Sequence, residues 1–504
     1  MPPNSLQHLP LGQRFPDSPH AVCVSLPTMA DVIGYEEKDP ETHAAMKSGY
    51  PRFKLPGLVA QLRDHIAESL GNPRQDVVLV TSKKAAEGLL EFLECPDAQV
   101  VEHEDHTIVH FPTNPDVYAL ALKFLQHTGS GISSRQAEDL LQQKGLISNV
   151  FPETMRDENP EQVVKDTLTE LTSIPQADIL LCNSGMNAFY AAFLATAQIQ
   201  RQQNRTVWIQ LGWLYLDTSE ILKKFLQPKE QVLTMLDVFD IEGLEQVLVE
   251  NAGKVAAIVT EAPTNPLIQT PDLPKIYELA RQHGVALIAD PTSSTPANLN
   301  LLPHADVLAN SLTKYAANQG DVLAGAVYFN PESPFYAELK ERTPQFHEPP
   351  YLRDLQRLAH EIQNYDQVLQ QINWNTLALA EYLEQHPTVK QVHWAYAEDS
   401  KENYIQLSTK QNAPGGLITI DLNGPMQPVH DKLRLLKSPS FGTTWSMICP
   451  FMYLAHYDLV STSQGKAFLH DNNINPELLR ISVGSEPIEP LMEVFDEALG
   501  VVRN

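Results

Sequence analysis

Cysteine is scarce: Cys23, Cys95, Cys182 and Cys449 stand far apart in 504 residues and form no CxxC pair. That excludes a disulfide framework and a zinc ribbon, and suits a reducing compartment. Positive charge is scarce too. With 36 basic against 62 acidic residues the formal charge is −26, so the cationic footprint that nucleic acid or an anionic membrane requires is missing. No apolar run approaches the ~18 residues of a membrane span. The N-terminal MPPNSLQHLPLGQRFPDSPH has no basic stretch followed by an apolar core, so a cytoplasmic location is expected. No GxGxxG follows a strand, which argues against a nicotinamide dehydrogenase. A hydrophobic content of 43% and a length of several ordinary domains predict a folded, multi-domain chain with a small-molecule ligand.

Four segments follow from the patterning. Residues 1–57 read as an arm, its first part rich in Pro, Gln and Ser. Residues 58–150 read as an additional α/β segment, with LVAQLRDHIAESL and AAEGLLEFL helical and DVVLV a strand. Within it HEDH (103–106) is a solvated turn rather than a metal site, and no metal is expected elsewhere. GSGISS (129–134) follows a helix and is a helix-ending turn. Residues 151–340 alternate short apolar strands with amphipathic helices, which predicts a mostly parallel, doubly wound sheet with strands DILLCN, TVWIQL, QVLTML, KVAAIVT, VALIAD, DVLANS and one near DVLAGAVYF. Residues 341–504 read as a smaller C-terminal α/β domain, opening with the helices LRDLQRLAHEIQNYDQVLQQI and TLALAEYLEQH.

In such a sheet, ligands bind beyond the carboxyl ends of the strands. DILLCN runs into Ser184-Gly185-Met186 and a helix N-terminus, an anion cup. TVWIQL leads to Tyr215, a stacking surface or a core aromatic. KVAAIVT leads to Glu261 and then Asn265, which can bind a ligand or close its turn. VALIAD ends on Asp290, a carboxylate that needs a partner. DVLANS ends on Ser311, Thr313 and Lys314, and desolvation there would make the lysine amine nucleophilic. Cup, aromatic plate, acid and amine together match the needs of pyridoxal phosphate.

The stretches VCVSLPTMADVIGYEE, SGYPRF, CNSGMNA, TEAPTNPLIQTPDLPKI, SLTKY and LLRISVGSEPIEPLMEVFDEAL resemble the Cys/Met-metabolism family of pyridoxal-phosphate enzymes, most closely its cystathionine γ-synthase-like branch. The resemblance implies the fold type I (aspartate-aminotransferase-like) architecture, with 151–340 as the cofactor domain. It implies Lys314 as the Schiff-base lysine, Asp290 at the ring nitrogen, Tyr215 stacked on the ring, and Gly185, Met186, Ser311 and Thr313 at the phosphate. Tyr50 and Arg52 would reach the phosphate of a neighbouring subunit in a homodimer or homotetramer, and Tyr50 or Tyr215 would assist proton transfer. Arg480 would grip the substrate α-carboxylate, with Asn265 and Ser446 beside it. The implied reaction is γ-replacement on an O-acylhomoserine with cysteine, giving cystathionine for methionine biosynthesis. A γ- or β-lyase, a sulfhydrylase and a non-catalytic binding protein are the alternatives. Three departures bear on substrate: Pro291 replaces Asn in Asp-Asn-Thr, Tyr-Gly-Gly-Thr has become Tyr215-Leu216-Asp217-Thr218, and Trp445 stands in place of a Glu.

Overall fold

The computed structural model describes residues 6–50, 54–71 and 74–500. The arm lies on the body of its own chain. Arg14–Phe15 pairs antiparallel with Cys23–Val24, while the Val22 and Leu26 N–H groups donate to the carbonyls of Gly320 (2.9 Å) and Lys437 (3.2 Å). Helix α1 (Met29–Glu36) starts at Thr28, whose hydroxyl accepts the Asp31 N–H while the Asp31 carboxylate accepts the Thr28 N–H. This reciprocal cap satisfies two otherwise orphaned donors.

The additional α/β segment comprises α2 (Gly57–Ser69), β1 (Gln75–Val80), α3 (Lys83–Leu93), β2 (Gln99–Glu102), β3 (Thr107–Pro112), α4 (Pro115–Thr128) and α5 (Ser134–Gln143). Its sheet, β1-β3-β2, is antiparallel throughout. Alternation along β1 builds two small cores: Val77 and Leu79 pack with α2 and α5, Val78 and Val80 with α3 and α4. HEDH forms the β2–β3 turn, and no group of three metal-ligating side chains occurs among the described residues.

All seven strands expected from the apolar runs form one sheet. They are β4 (Ile179–Cys182), β5 (Val207–Leu211), β6 (Gln231–Met235), β7 (Val255–Glu261), β8 (Ala286–Asp290), β9 (Val307–Ser311) and β10 (Gly325–Phe329), with α6 (Gly185–Gln202) after β4 and α7 (Leu216–Lys224) after β5. The order is β4-β10-β9-β8-β7-β5-β6, and only β10 runs against its neighbours. Every residue of β7 is buried, as a parallel strand covered on both faces must be, and separate apolar clusters fill the two faces.

The C-terminal part holds α8 (Tyr365–Glu384), β11 (Val389–His393), β12 (Leu417–Leu422), β13 (Leu436–Lys437), β14 (Met447–Pro450), α9 (Phe451–Ala455), β15 (Leu479–Ser482) and α10 (Ile488–Leu499). Its sheet order is β11-β12-β15-β14-β13. The expected helix break near Asn373 and Asn375 is absent, and α8 runs through both. Their amides are satisfied by tertiary contacts, Asn373 with Asn298 (3.1 Å) and Asn375 with the carbonyls of Gly484 and Glu486 (2.8 Å each). Among the described residues no helix is long and apolar enough to cross a membrane.

Candidate active site

Strands β7, β8 and β9 deliver Glu261, Asp290 and Ser311 to one edge of the central sheet, and β15 delivers Arg480 from the C-terminal sheet. Between them lies a cavity of about 320 Å³. Tyr50, Gly185, Met186, Tyr215, Asn265, Asp290, Ser311, Thr313, Lys314 and Arg480 all line it, so the fold brings these sequence candidates together. Arg52 lies outside the described residues. Ser446 does not line it: its hydroxyl sits 2.9 Å from Glu486 Oε2 and accepts the Gly484 N–H at 2.8 Å, a contact within the C-terminal part.

Lys314 Nζ donates to Tyr50 Oη (3.1 Å) and Ser440 Oγ (3.0 Å), and lies over the rings of Tyr50 and Phe441. Among the described residues no carboxylate pairs with it. The following residue, Tyr315, adopts φ +61°, which is costly for a side chain of that size. It is held there by its N–H to Gly442 O (2.9 Å) and its hydroxyl to Ser293 O (2.8 Å). The lysine's direction is thus set by the fold.

Asp290 and Glu261 stand directly opposite each other at the ends of paired parallel strands. Burial pushes the Asp290 carboxyl up to about 6, against the pull of hydrogen bonds from Thr292. Burial, and then the neighbouring Asp290 charge, raise Glu261 well above the usual carboxylate range, although it accepts the Tyr215 N–H. Among the described residues no cation pairs with either carboxylate.

The Arg480 guanidinium is 3% exposed and lies between Phe441 and Phe451. It donates to Asn265 Oδ1 (3.3 Å) and to the carbonyls of Pro439 and Ser440, the neutral Cys449 thiol lies beside it, and among the described residues its Nε–H has no oxygen or nitrogen partner. A buried cation held only by neutral acceptors is a site for an anion.

The same residues suit pyridoxal phosphate. Ser184 caps α6 by accepting the Asn187 N–H at 3.1 Å, leaving the first amides of α6 as an anion cup. A Cβ on Gly185 would lie 2.6 Å from Ser311 Cβ, so only glycine allows the cup's two sides to approach. A protonated ring nitrogen would supply the charge that Asp290 lacks, and Lys314 offers an amine held only by the hydroxyls of Tyr50 and Ser440 among the described residues. One donor is weaker than expected, because the Thr313 hydroxyl is engaged with the Ala324 backbone at 3.0 and 3.3 Å.

Residues 136–500 match the family described as Cys/Met metabolism PLP-dependent enzyme. The chain belongs to this family. As a pyridoxal-phosphate-dependent enzyme of Cys/Met metabolism it is 39% identical, over 96% of its length and 97% of the relative's, to the L-2-amino-4-chloropent-4-enoate dechlorinase/desaturase of Streptantibioticus cattleyicolor. It is 26% identical, over 98% of both chains, to the cystathionine gamma-synthase of Neurospora crassa. Its fold is that of the cystathionine gamma synthase of Xanthomonas oryzae pv. oryzae (TM-score 0.57, 22% identity, 69% of this chain and 87% of that one) and of yeast cystathionine gamma-lyase (0.58, 21%, 67% and 84%).

Three placements depart from expectation. Tyr50 reaches the lysine of its own chain, whereas the resemblance implies a neighbour's site; the arm's backbone pairing with residues 320 and 437 brings it there. Trp445 is buried outside the cavity, packed edge-on against Phe15 of the arm, so the Glu-to-Trp departure serves arm docking. Glu36, at the end of α1, lines the cavity and went unrecognised in the sequence because a glutamate in a helical arm looks like surface charge. Burial pushes its carboxyl up to about 7.

Glu36 is expected to gain its charge as pH rises through about 7, adding a negative charge to the cavity that Arg480 also lines. KM is expected to rise as pH passes upward through about 7 in the wild type and to stay flat through that window in Glu36→Gln. Superimposable KM profiles of the two would contradict this.

Proposed function

We propose that this enzyme eliminates a leaving group from the γ-carbon of a small L-α-amino acid, a halide being the group it suits best, without a second thiol substrate. The observation that carries this reading is the character of the cavity wall. Opposite the polar sheet edge, the arm and α9 contribute Val24, Leu26, Phe451, Leu454 and Ala455, a surface for carbon and halogen. A cysteine co-substrate would bring a second carboxylate, and Arg480 is the one guanidinium lining the cavity among the described residues. The relative named as a dechlorinase/desaturase supports the same reading.

Bound here, pyridoxal phosphate supplies an electron sink for charge developing at the substrate α-carbon. Arg480 fixes the α-carboxylate through paired N–H groups, its head group held by Asn265 and the Ser440 carbonyl. The Lys314 amine takes the α-proton, and Tyr50, 3.1 Å away, exchanges protons with that amine. Asp290 keeps the proton on the ring nitrogen. The cavity walls keep water from the reacting carbons.

The second reading is γ-replacement on an O-acylhomoserine with cysteine, favoured by the full-length match to the Neurospora crassa cystathionine gamma-synthase. The two separate in one assay, in which purified enzyme is given 2-amino-4-chloropent-4-enoate or O-acetylhomoserine, each with and without cysteine. Chloride release independent of cysteine is expected. Turnover that requires cysteine and yields cystathionine would overturn the elimination reading.

A further inference from the structure

Two sequence features have no part in the site as described: the GSGISS turn and the Asp217 that replaces a family glycine. They meet at the last turn of α4, in the segment that precedes the family match. We propose that this turn, Gln126 to Gly129, is a positioning element that sets both halves of the cofactor cup.

On the phosphate side, α4 ends in Gly129 at φ +67°, its N–H donating to Leu125 O at 3.0 Å, a left-handed helix stop that favours glycine. The carbonyls left without helical partners at that stop are bound from the cup. Asn183 Nδ2 donates to Gly129 O at 2.7 Å and Asn187 Nδ2 to Thr128 O at 2.9 Å. The turn sits so close that a Cβ on Gly129 would lie 2.2 Å from Ser184 Oγ, the cap of α6. The position of the cup's amides is thus fixed from outside the family fold.

On the ring side, the preceding residues of the same turn hold Asp217. Gln126 Nε2 donates to its Oδ1 at 2.7 Å and His127 Nδ1 lies 3.1 Å from the same oxygen. His127 Nε2 is 3.0 Å from Lys224 Nζ; an ammonium there must donate, so Nε2 accepts and Nδ1–H points at Asp217. Asp217 is 0% exposed and lies two residues after Tyr215, in the first turn of α7. A buried carboxylate with these partners ties the start of α7, and the tyrosine preceding it, to α4. Glycine at 217, as in the family pattern, would have no such tie. Gln126 also lines the cavity itself.

The test is cofactor binding by the apoenzyme, with pyridoxal as a probe that lacks the phosphate. Gly129→Ala pushes on the cup alone, and Asp217→Asn keeps the shape but removes the charge that binds α7. Gly129→Ala is expected to weaken pyridoxal phosphate at least about tenfold while pyridoxal changes little, and Asp217→Asn to weaken both probes by a similar factor. Both substitutions are expected to lower the apoenzyme's melting temperature, so binding is measured well below each variant's transition and read as the ratio between the two probes. Should Gly129→Ala not fold, Asn187→Ala removes the Thr128 contact and carries the same expectation. Wild-type affinities in the variants, or a Gly129→Ala loss that is equal for pyridoxal phosphate and pyridoxal, would overturn the proposal.

Discussion

Lys314→Ala is expected to lower turnover at least about a thousandfold, because it removes both the amine that holds the cofactor and the base that takes the α-proton. Lys314→Arg should be no better, which separates nucleophilicity from charge: guanidinium keeps the cation but stays protonated. The structure gives reasons to expect so complete a loss. The amine is held by the hydroxyls of Tyr50 and Ser440, and among the described residues no carboxylate pairs with it. Its backbone is fixed by the left-handed Tyr315, whose ties run to Gly442 and Ser293, and no other lysine lines the cavity among the described residues. Steady-state turnover of the cofactor-loaded variants, with circular dichroism to confirm the fold, decides it; near-normal turnover in either variant would remove Lys314 from the mechanism.

The next largest effect is expected from Arg480→Lys, a loss in kcat/KM of about 10²-fold or more, carried mainly by KM. Arg480 presents a planar fork whose Cζ lies 5.4 Å from the Phe441 ring centroid and 5.1 Å from that of Phe451, oriented by Asn265 at 3.3 Å. A lysine ammonium keeps the charge but cannot form two parallel bonds to a carboxylate. The α-hydrogen then no longer has one fixed direction relative to the base. Measuring kcat and KM separately checks this, and a KM within about twofold of wild type would place the substrate carboxylate elsewhere.

Much of the site was legible because a buried parallel strand ends abruptly. An apolar run such as VALIAD or DVLANS announces its last residue, and Asp290, Ser311 and Lys314 sit just there. The sheet was legible for the same reason, down to all seven strands. Other features depend on contacts across hundreds of residues, which no local pattern encodes. Glu36 becomes a cavity residue only because the arm is laid against residues 320 and 437. Ser446 looked like a substrate contact from its motif, yet Glu486, forty residues on, takes its hydroxyl. Strand β2 escaped notice because QVVE is a half-exposed edge with little apolar signal. The reversal of β10 depends on pairing, which strand composition does not specify. Asp217 was visible as a departure, but its partners lie about ninety residues upstream.

The most direct test of Lys314 as the cofactor's anchor is borohydride reduction of the purified enzyme followed by peptide mass spectrometry. Reduction fixes the cofactor to whichever amine holds it. The account predicts one cofactor mass per chain, on the peptide that carries Ser311-Leu312-Thr313-Lys314-Tyr315, and none in Lys314→Ala. Cofactor mass on another lysine, or wild-type labelling of Lys314→Ala, would contradict it.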